Sequence, residues 1–160
     1  MELQSGEIQA LTQIPSTSQY FLIEANTLED LLLKEEVLKH QWLSSSIEDV
    51  TLMTLSDWVP SNARQKTIFT LKQNLIDRLN PTIEALLGAP LQSIESNYLT
   101  PQAFLASPMG SAFEGKVFTI DGRWIGIVSV IGLNADNVQA VSHFASELDG
   151  IQWINTTESL

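Results

Sequence analysis

The residues able to do chemistry in this chain are few, and they are poorly spaced for it. Its two histidines, His40 and His143, fall on different predicted helices. Neither has a second His, Asp or Glu at metal-ligand spacing around a loop. Glu29-Asp30 and Glu35-Glu36 are adjacent acids on one predicted helix. Neighbours on a helix point to different azimuths, so these pairs read as a solvated face rather than as a general acid and base. Serines are plentiful, but Pro108-Met109-Gly110-Ser111 does not match the G-x-S-x-G elbow of a serine hydrolase. Gly126 and Gly132 are spaced along a strand, not as a phosphate-cradling loop, and read as places where a helix approaches the sheet closely. The absence of cysteine removes disulfides, thiolate metal sites and a thiol nucleophile. No catalytic, cofactor-binding or metal-ligating residue is assigned, and no cofactor is expected. A non-catalytic binding or structural part is the expectation. A small hydrolase using Ser or Glu would instead need a buried acid of strongly raised pKa beside a cleft.

Composition narrows the partners. The chain has 160 residues, 44% of them hydrophobic, enough for one domain with a real core. Nineteen acids face eight bases, for a net charge of −11. The bases are scattered, so DNA, RNA and an anionic bilayer surface should all be repelled. No apolar run approaches the ~20 residues that span a bilayer. The longest, Trp124 to Leu133, is broken by Gly126, Ser129 and Gly132. Met1-Glu2-Leu3-Gln4 has no basic n-region, so no signal peptide is expected.

The elements alternate along the chain. After a short helix or extended arm over 1–17, Gln19 to Ala25 is aromatic and branched and predicts a strand. Asn26 is the expected N-cap of a helix over 27–44, whose apolar stripe is Leu28, Leu31, Leu32, Leu38 and Trp42. Val50 to Leu55 predicts a second strand. Pro60 stops it and Ser61 caps a helix over 62–79, with Ile68, Leu71, Leu75, Ile76 and Leu79 expected inward. Asn80-Pro81 predicts a new cap and a short helix to Gly88, followed by a helical turn or two over 91–98. Thr100-Pro101 opens another short helix. Gly115 to Ile120 and Arg123 to Ile131 predict a hairpin turned by Asp121-Gly122. Asn134 is the expected cap of a helix over 135–148, and Ile151 to Ile154 the last strand.

The fold class is therefore α+β. Removing about 57–112 leaves βαβ and ββαβ halves, a ferredoxin-like split βαβ plan in one domain, 1–160. Its sheet is antiparallel or mixed, both long helices lie on one face, and the helical block 57–112 is an insertion. Trp58, Pro60, Ser61, Arg64 and Gln65 mark the corner where the insertion leaves the sheet. They are the candidate docking or structural residues, and Arg64 is expected to pair with a nearby acid.

Three stretches resemble a known family. Gln19-Tyr20-Phe21-Leu22-Ile23-Glu24 with Leu31-Leu32-Leu33-Lys34-Glu35-Glu36-Val37-Leu38 is similar to a strand and a Leu-x-x-Glu-Glu-x-Leu helix found in extracytoplasmic loop domains of resistance-nodulation-division exporters, MMPL branch. Leu55-Ser56-Asp57-Trp58-Val59-Pro60-Ser61 with Arg64-Gln65 resembles that family's Ser-x-Trp-Val-Pro-Ser … Arg-Gln corner. Leu105-Ala106-Ser107-Pro108 and Gly150 to Asn155 resemble later landmarks, although Ile154-Asn155 stands where the family tends to have Val-Asp. The order and spacing run from about residue 3 to 158, and the opening residues are similar to the second large loop. The resemblance implies a periplasmic porter domain of an inner-membrane, proton-driven exporter of lipid-like or hydrophobic substrates. Its partners would be the other domains of the same transporter or a periplasmic protein, with no nucleic acid. The proton-relay acids of such exporters lie in membrane helices outside this chain. A stand-alone ferredoxin-like ligand-binding or regulatory module is the alternative.

Overall fold

The structure, a computed structural model, describes residues 19–91 and 97–156. The arm expected over 1–17 and most of the turn expected over 91–98 lie outside the described residues. In chain order the strands are β1 (Gln19–Ala25), β2 (Thr51–Met53), β3 (Val117–Ile120), β4 (Arg123–Ile131) and β5 (Ile151–Asn155). The α-helices are α1 (Leu28–Leu43), α2 (Asn62–Leu87), α3 (Pro101–Leu105) and α4 (Val138–Ser146). Single 3-10 stretches follow β2 (Leu55–Asp57) and α3 (Pro108–Phe113).

The five strands form one antiparallel sheet in the order β2–β4–β1–β5. The long β4 also pairs with β3, through Val117↔Gly126 to Ile120↔Arg123 on the edge that β2 occupies further along. The tight β3–β4 connection follows from Asp121 and Gly122, both at positive φ, as a two-residue hairpin turn requires. With β1 on one edge and β2 and β3 on the other, β4 is central, and it carries apolar residues on both faces.

Alternation along β1 sends Phe21, Ile23 and Ala25 to one face, where all are buried. Both helices that follow a strand cover that face. Phe21 meets Trp42 of α1 edge-on at 6.1 Å and Phe144 of α4 at 6.4 Å, and the last two rings meet each other at 5.1 Å. Gly126 lets α1 approach: a Cβ there would lie 2.8 Å from the Leu31 side chain. On the opposite face Tyr20, Leu22, Phe118, Ile127, Ile131 and Ile154 are only half-buried.

Three boundaries move. Thr27, not Asn26, caps α1; it is extended, and its hydroxyl accepts from the Asp30 N–H at 3.0 Å. Asn137 takes the N-cap place of α4, while the Asn134 side chain accepts from the amides of Asp136 and Asn137 in a turn before it. The strand expected over 50–55 shortens, because the Asp57 carboxylate draws in the Thr54 N–H at 3.2 Å and coils 55–57.

The largest correction is α2. It continues through Pro81 to Gly88, where φ of +74° ends it, so the expected break at Asn80-Pro81 does not occur. Proline removes one helical hydrogen bond without forbidding continuation. The Asn80 side chain accepts from the Leu91 N–H at 2.8 Å, tying down the returning chain rather than capping a new helix. Of the stripe expected inward, Ile68 and Ile76 are half-buried and Leu71, Leu75 and Leu79 are exposed; Gln65 is the residue of α2 that is buried. Periodicity records that a face is apolar, and nothing about what covers it.

Candidate functional site

The corner from Thr54 to Asn62 is held by one face of α1. The chain runs back along that helix, and charged side chains meet it in turn. Glu35 accepts from the Ser56 N–H at 2.7 Å, and Lys39 pairs with Asp57. Glu36 accepts from both the N–H and the hydroxyl of Ser61, each at 2.8 Å. Glu29, two turns earlier on the same face, accepts from the Asn62 N–H at 2.7 Å. Ser61 also caps α2 by accepting from the Arg64 N–H at 3.2 Å. The first amides of a helix lack internal partners and carry its positive end. Here two carboxylates from α1 and the Ser61 hydroxyl satisfy them, which is why α2 begins at this point. Hydrogen bonds to charged groups contribute roughly 1.5–3 kcal/mol each.

The structure gathers the predicted residues but gives them different tasks. Ser61 is fully buried in the latch. Gln65 clamps the chain returning from α2, accepting from the Leu99 N–H and donating to the carbonyls of Leu99 and Pro60, all at 2.8–2.9 Å. Gln65→Leu keeps the volume and removes the clamp. The expected cost is about 2 kcal/mol, read by urea unfolding, with faster hydrogen exchange at the Leu99 amide.

Trp58 is 51% exposed and stacks on Phe104 with ring centroids 6.4 Å apart and planes 28° off parallel. It is a rim residue as well as a packing one. Trp58→Ala should therefore cost only about 1–2 kcal/mol in denaturant unfolding, against the 3–5 of a fully buried tryptophan. A larger loss would return it to the core.

Arg64 is exposed, and the ion pairs among the described residues do not include it. Among the described residues, the acids of this corner hold other partners: Asp57 binds Lys39, Glu36 binds Ser61 and Glu29 binds Asn62.

The acids of α1 are what sequence reasoning missed. Glu35 is 1% exposed, not part of a solvated face. Burial pushes its carboxyl up to about 7, against the opposing hydrogen bonds from Ser56 and Leu55, and the Asp57 charge adds to the rise. The signal was present: Glu35 lies four residues after Leu31 and three before Leu38, inside the apolar stripe. In Asp57, burial alone would raise the carboxyl. Hydrogen bonds from Lys39 and Thr54 outweigh it and hold the group below its usual value.

Clefts lined by described residues open elsewhere, two of them of note. The larger, about 650 Å³, lies where β1 ends beside α1 and the start of β5. Its lining includes Leu22, Leu33, Asp30, Lys34, and Glu24 paired with Arg123. Lys34 donates to the Glu24 carbonyl at 2.6 Å. The smaller, about 330 Å³, lies between the end of α1 and α4, beside His40 and Phe144. Glu35 lines neither of these two clefts. No group of three or more metal-ligating side chains occurs among the described residues, and no described helix is long and apolar enough to cross a membrane.

No protein-family model, curated protein or solved structure matches this chain.

Proposed function

We propose that the chain is a non-catalytic periplasmic porter domain of a proton-driven exporter of the resistance-nodulation-division superfamily, MMPL branch, moving hydrophobic or lipid-like substrates. The observation that carries the reading is the strand order. β4 lies antiparallel between β1 and β2, so those two run parallel, joined through α1. β1 lies antiparallel between β4 and β5, joined through α4. Two such interleaved units, with both helices on one face, support reading the fold as a ferredoxin-like split βαβ plan with β3 added on one edge. Porter domains of this superfamily are expected to have that plan, and two of the stretches that resemble the family's landmarks lie on β1 with its helix α1 and on β5. The half-buried apolar face of the sheet suits the wall of a path for a hydrophobic substrate.

The test is the membrane topology of the native gene product. Apolar segments of about 20 residues are expected on both sides of this region, with reporter fusions within it active only outside the cytoplasm. A native product ending near this chain's own limits, or a cytoplasmic reporter signal, overturns the proposal. The 650 Å³ cleft favours a second reading, a stand-alone ligand-binding module of the same fold. That module would show saturable binding of a small molecule, abolished by Arg123→Glu.

A further inference from the structure

Four of the chain's eight bases lie on α2, Arg64, Lys66, Lys72 and Arg78, against two of its nineteen acids, Asp77 and Glu84. Net charge thus hides a cationic helix on an acidic body. After its first turn that helix leaves the body, since Gln65 is its buried residue. Arg78 lies about 20 Å along the axis from Gln65 at 1.5 Å per residue. That exceeds twice the Debye length of about 8 Å at physiological ionic strength. The acids gathered at the Gln65 corner scarcely reach it.

The apolar arc of α2 has two flanks. The returning chain covers one, where Tyr98 meets Phe69 edge-on at 5.4 Å and Leu91 is tied to Asn80. The other flank is bare. Leu71, Leu75, Leu79 and Leu86 are 63%, 56%, 42% and 77% exposed. Three of the four cations share their side of the helix. Arg64 is seven residues before Leu71, Arg78 seven after it, and Lys72 seven before Leu79, spacings that return to one face. Asp77 and Glu84 lie opposite. Leucines bordered by Lys and Arg, with the acids turned away, are the pattern of a helix lying in a membrane interface. The long cationic side chains reach the headgroups while their stems stay apolar.

We propose that this bare flank and tip of α2 dock on an anionic lipid bilayer surface. Three features favour a bilayer over another helix or a protein groove. From Ile68 to Leu86 the stripe makes five turns in eighteen residues, so it runs straight and is not the 3.5-residue seam of a coiled coil. Pairing with a second copy sets like charges together, Lys72 against Arg78 if antiparallel about Leu75 and each cation against itself if parallel. The tip from Ala85 to Leu91 has no charge, and Leu86 and Leu87, on different sides of the helix, are each 77% exposed. A groove meets one side of such a tip; a bilayer interface surrounds it. The repulsion expected from the net charge applies to the body and not to this arm. The inference does not depend on the exporter reading.

The chain is mixed with vesicles of phosphatidylcholine and phosphatidylglycerol, three to one, or of phosphatidylcholine alone, and floated through a density gradient. It is expected to float with the anionic vesicles and not with the neutral ones, and to be released as salt rises from about 50 to about 500 mM. The double variants Leu75→Glu/Leu79→Glu and Lys72→Glu/Arg78→Glu should each weaken binding at least about tenfold, with melting temperatures unchanged because none of the four residues is buried. Absence from the anionic vesicles at low salt overturns the proposal. Equal binding to both vesicle types overturns it as well. A concentration-dependent dimer abolished by the leucine variant, without vesicle binding, reassigns the face to protein contact.

Discussion

Glu35→Gln is expected to remove a fall in stability that the parent chain shows between about pH 4.5 and about 7, and to raise stability at pH 8 by about 3 kcal/mol. The folded carboxyl sits near 7, against an ordinary 4.5, because burial disfavours its charge. Across that window the folded state keeps the proton and the unfolded chain has lost it. Stability therefore declines with rising pH, by about 1.4 kcal/mol for each unit of difference. Glutamine still accepts from the Ser56 N–H but has no charge to bury. Asp57 acts in the opposite direction. Its carboxyl is depressed by Lys39 and Thr54, so its contribution is present above the unfolded value of 3.8 and is lost as pH falls through the folded one. Denaturant melts from pH 3 to pH 9 on both chains check this. An unchanged slope in the variant would mean that Glu35 is not the buried acid responsible. The corner that launches α2 is therefore expected to respond to protons near neutrality.

Phe21→Ala is expected to cost about 3–5 kcal/mol, more than the loss of the Gln65 clamp or of the half-exposed Trp58 ring. The Phe21 ring is fully buried and touches Trp42, Phe144 and Trp153, the last at 4.9 Å. It is the side chain through which α1, α4 and β5 share one core. Truncation forfeits the buried area and also three ring contacts, each worth about 0.5–1.5 kcal/mol beyond area. Urea unfolding gives the magnitude. A loss below about 1 kcal/mol would mean that the core closes without it and that the two helices pack on the sheet separately.

Much of the fold was legible locally. β1 and β4 have the predicted bounds, and β5 reaches one residue further than expected. The Asp121-Gly122 turn, the Ser61 cap and the Gly88 stop all follow from residue chemistry within a few positions. Pro81 misled, because its preference for the first turn of a helix is strong and its tolerance inside one depends on whether the freed carbonyl is exposed. The candidate site was half legible. Ser61 and Gln65 could be picked from the corner's punctuation, whereas Glu29, Glu36 and Lys39 act on residues 18 to 33 positions away.

The sequence by itself determined roughly where the strands and most helices lie, the α+β class, the lack of thiol chemistry and the absence of a nucleophile pattern. These depend on relations between a residue and its neighbours two to four places along. Tertiary structure decided what those elements are for. It buried Glu35 beneath the Ser56 amide, turned Glu29 and Glu36 onto the start of α2, and left the leucines of α2 bare beside the chain's main group of cations. Burial and charge environment are properties of contacts between distant segments, which periodicity along one segment does not contain.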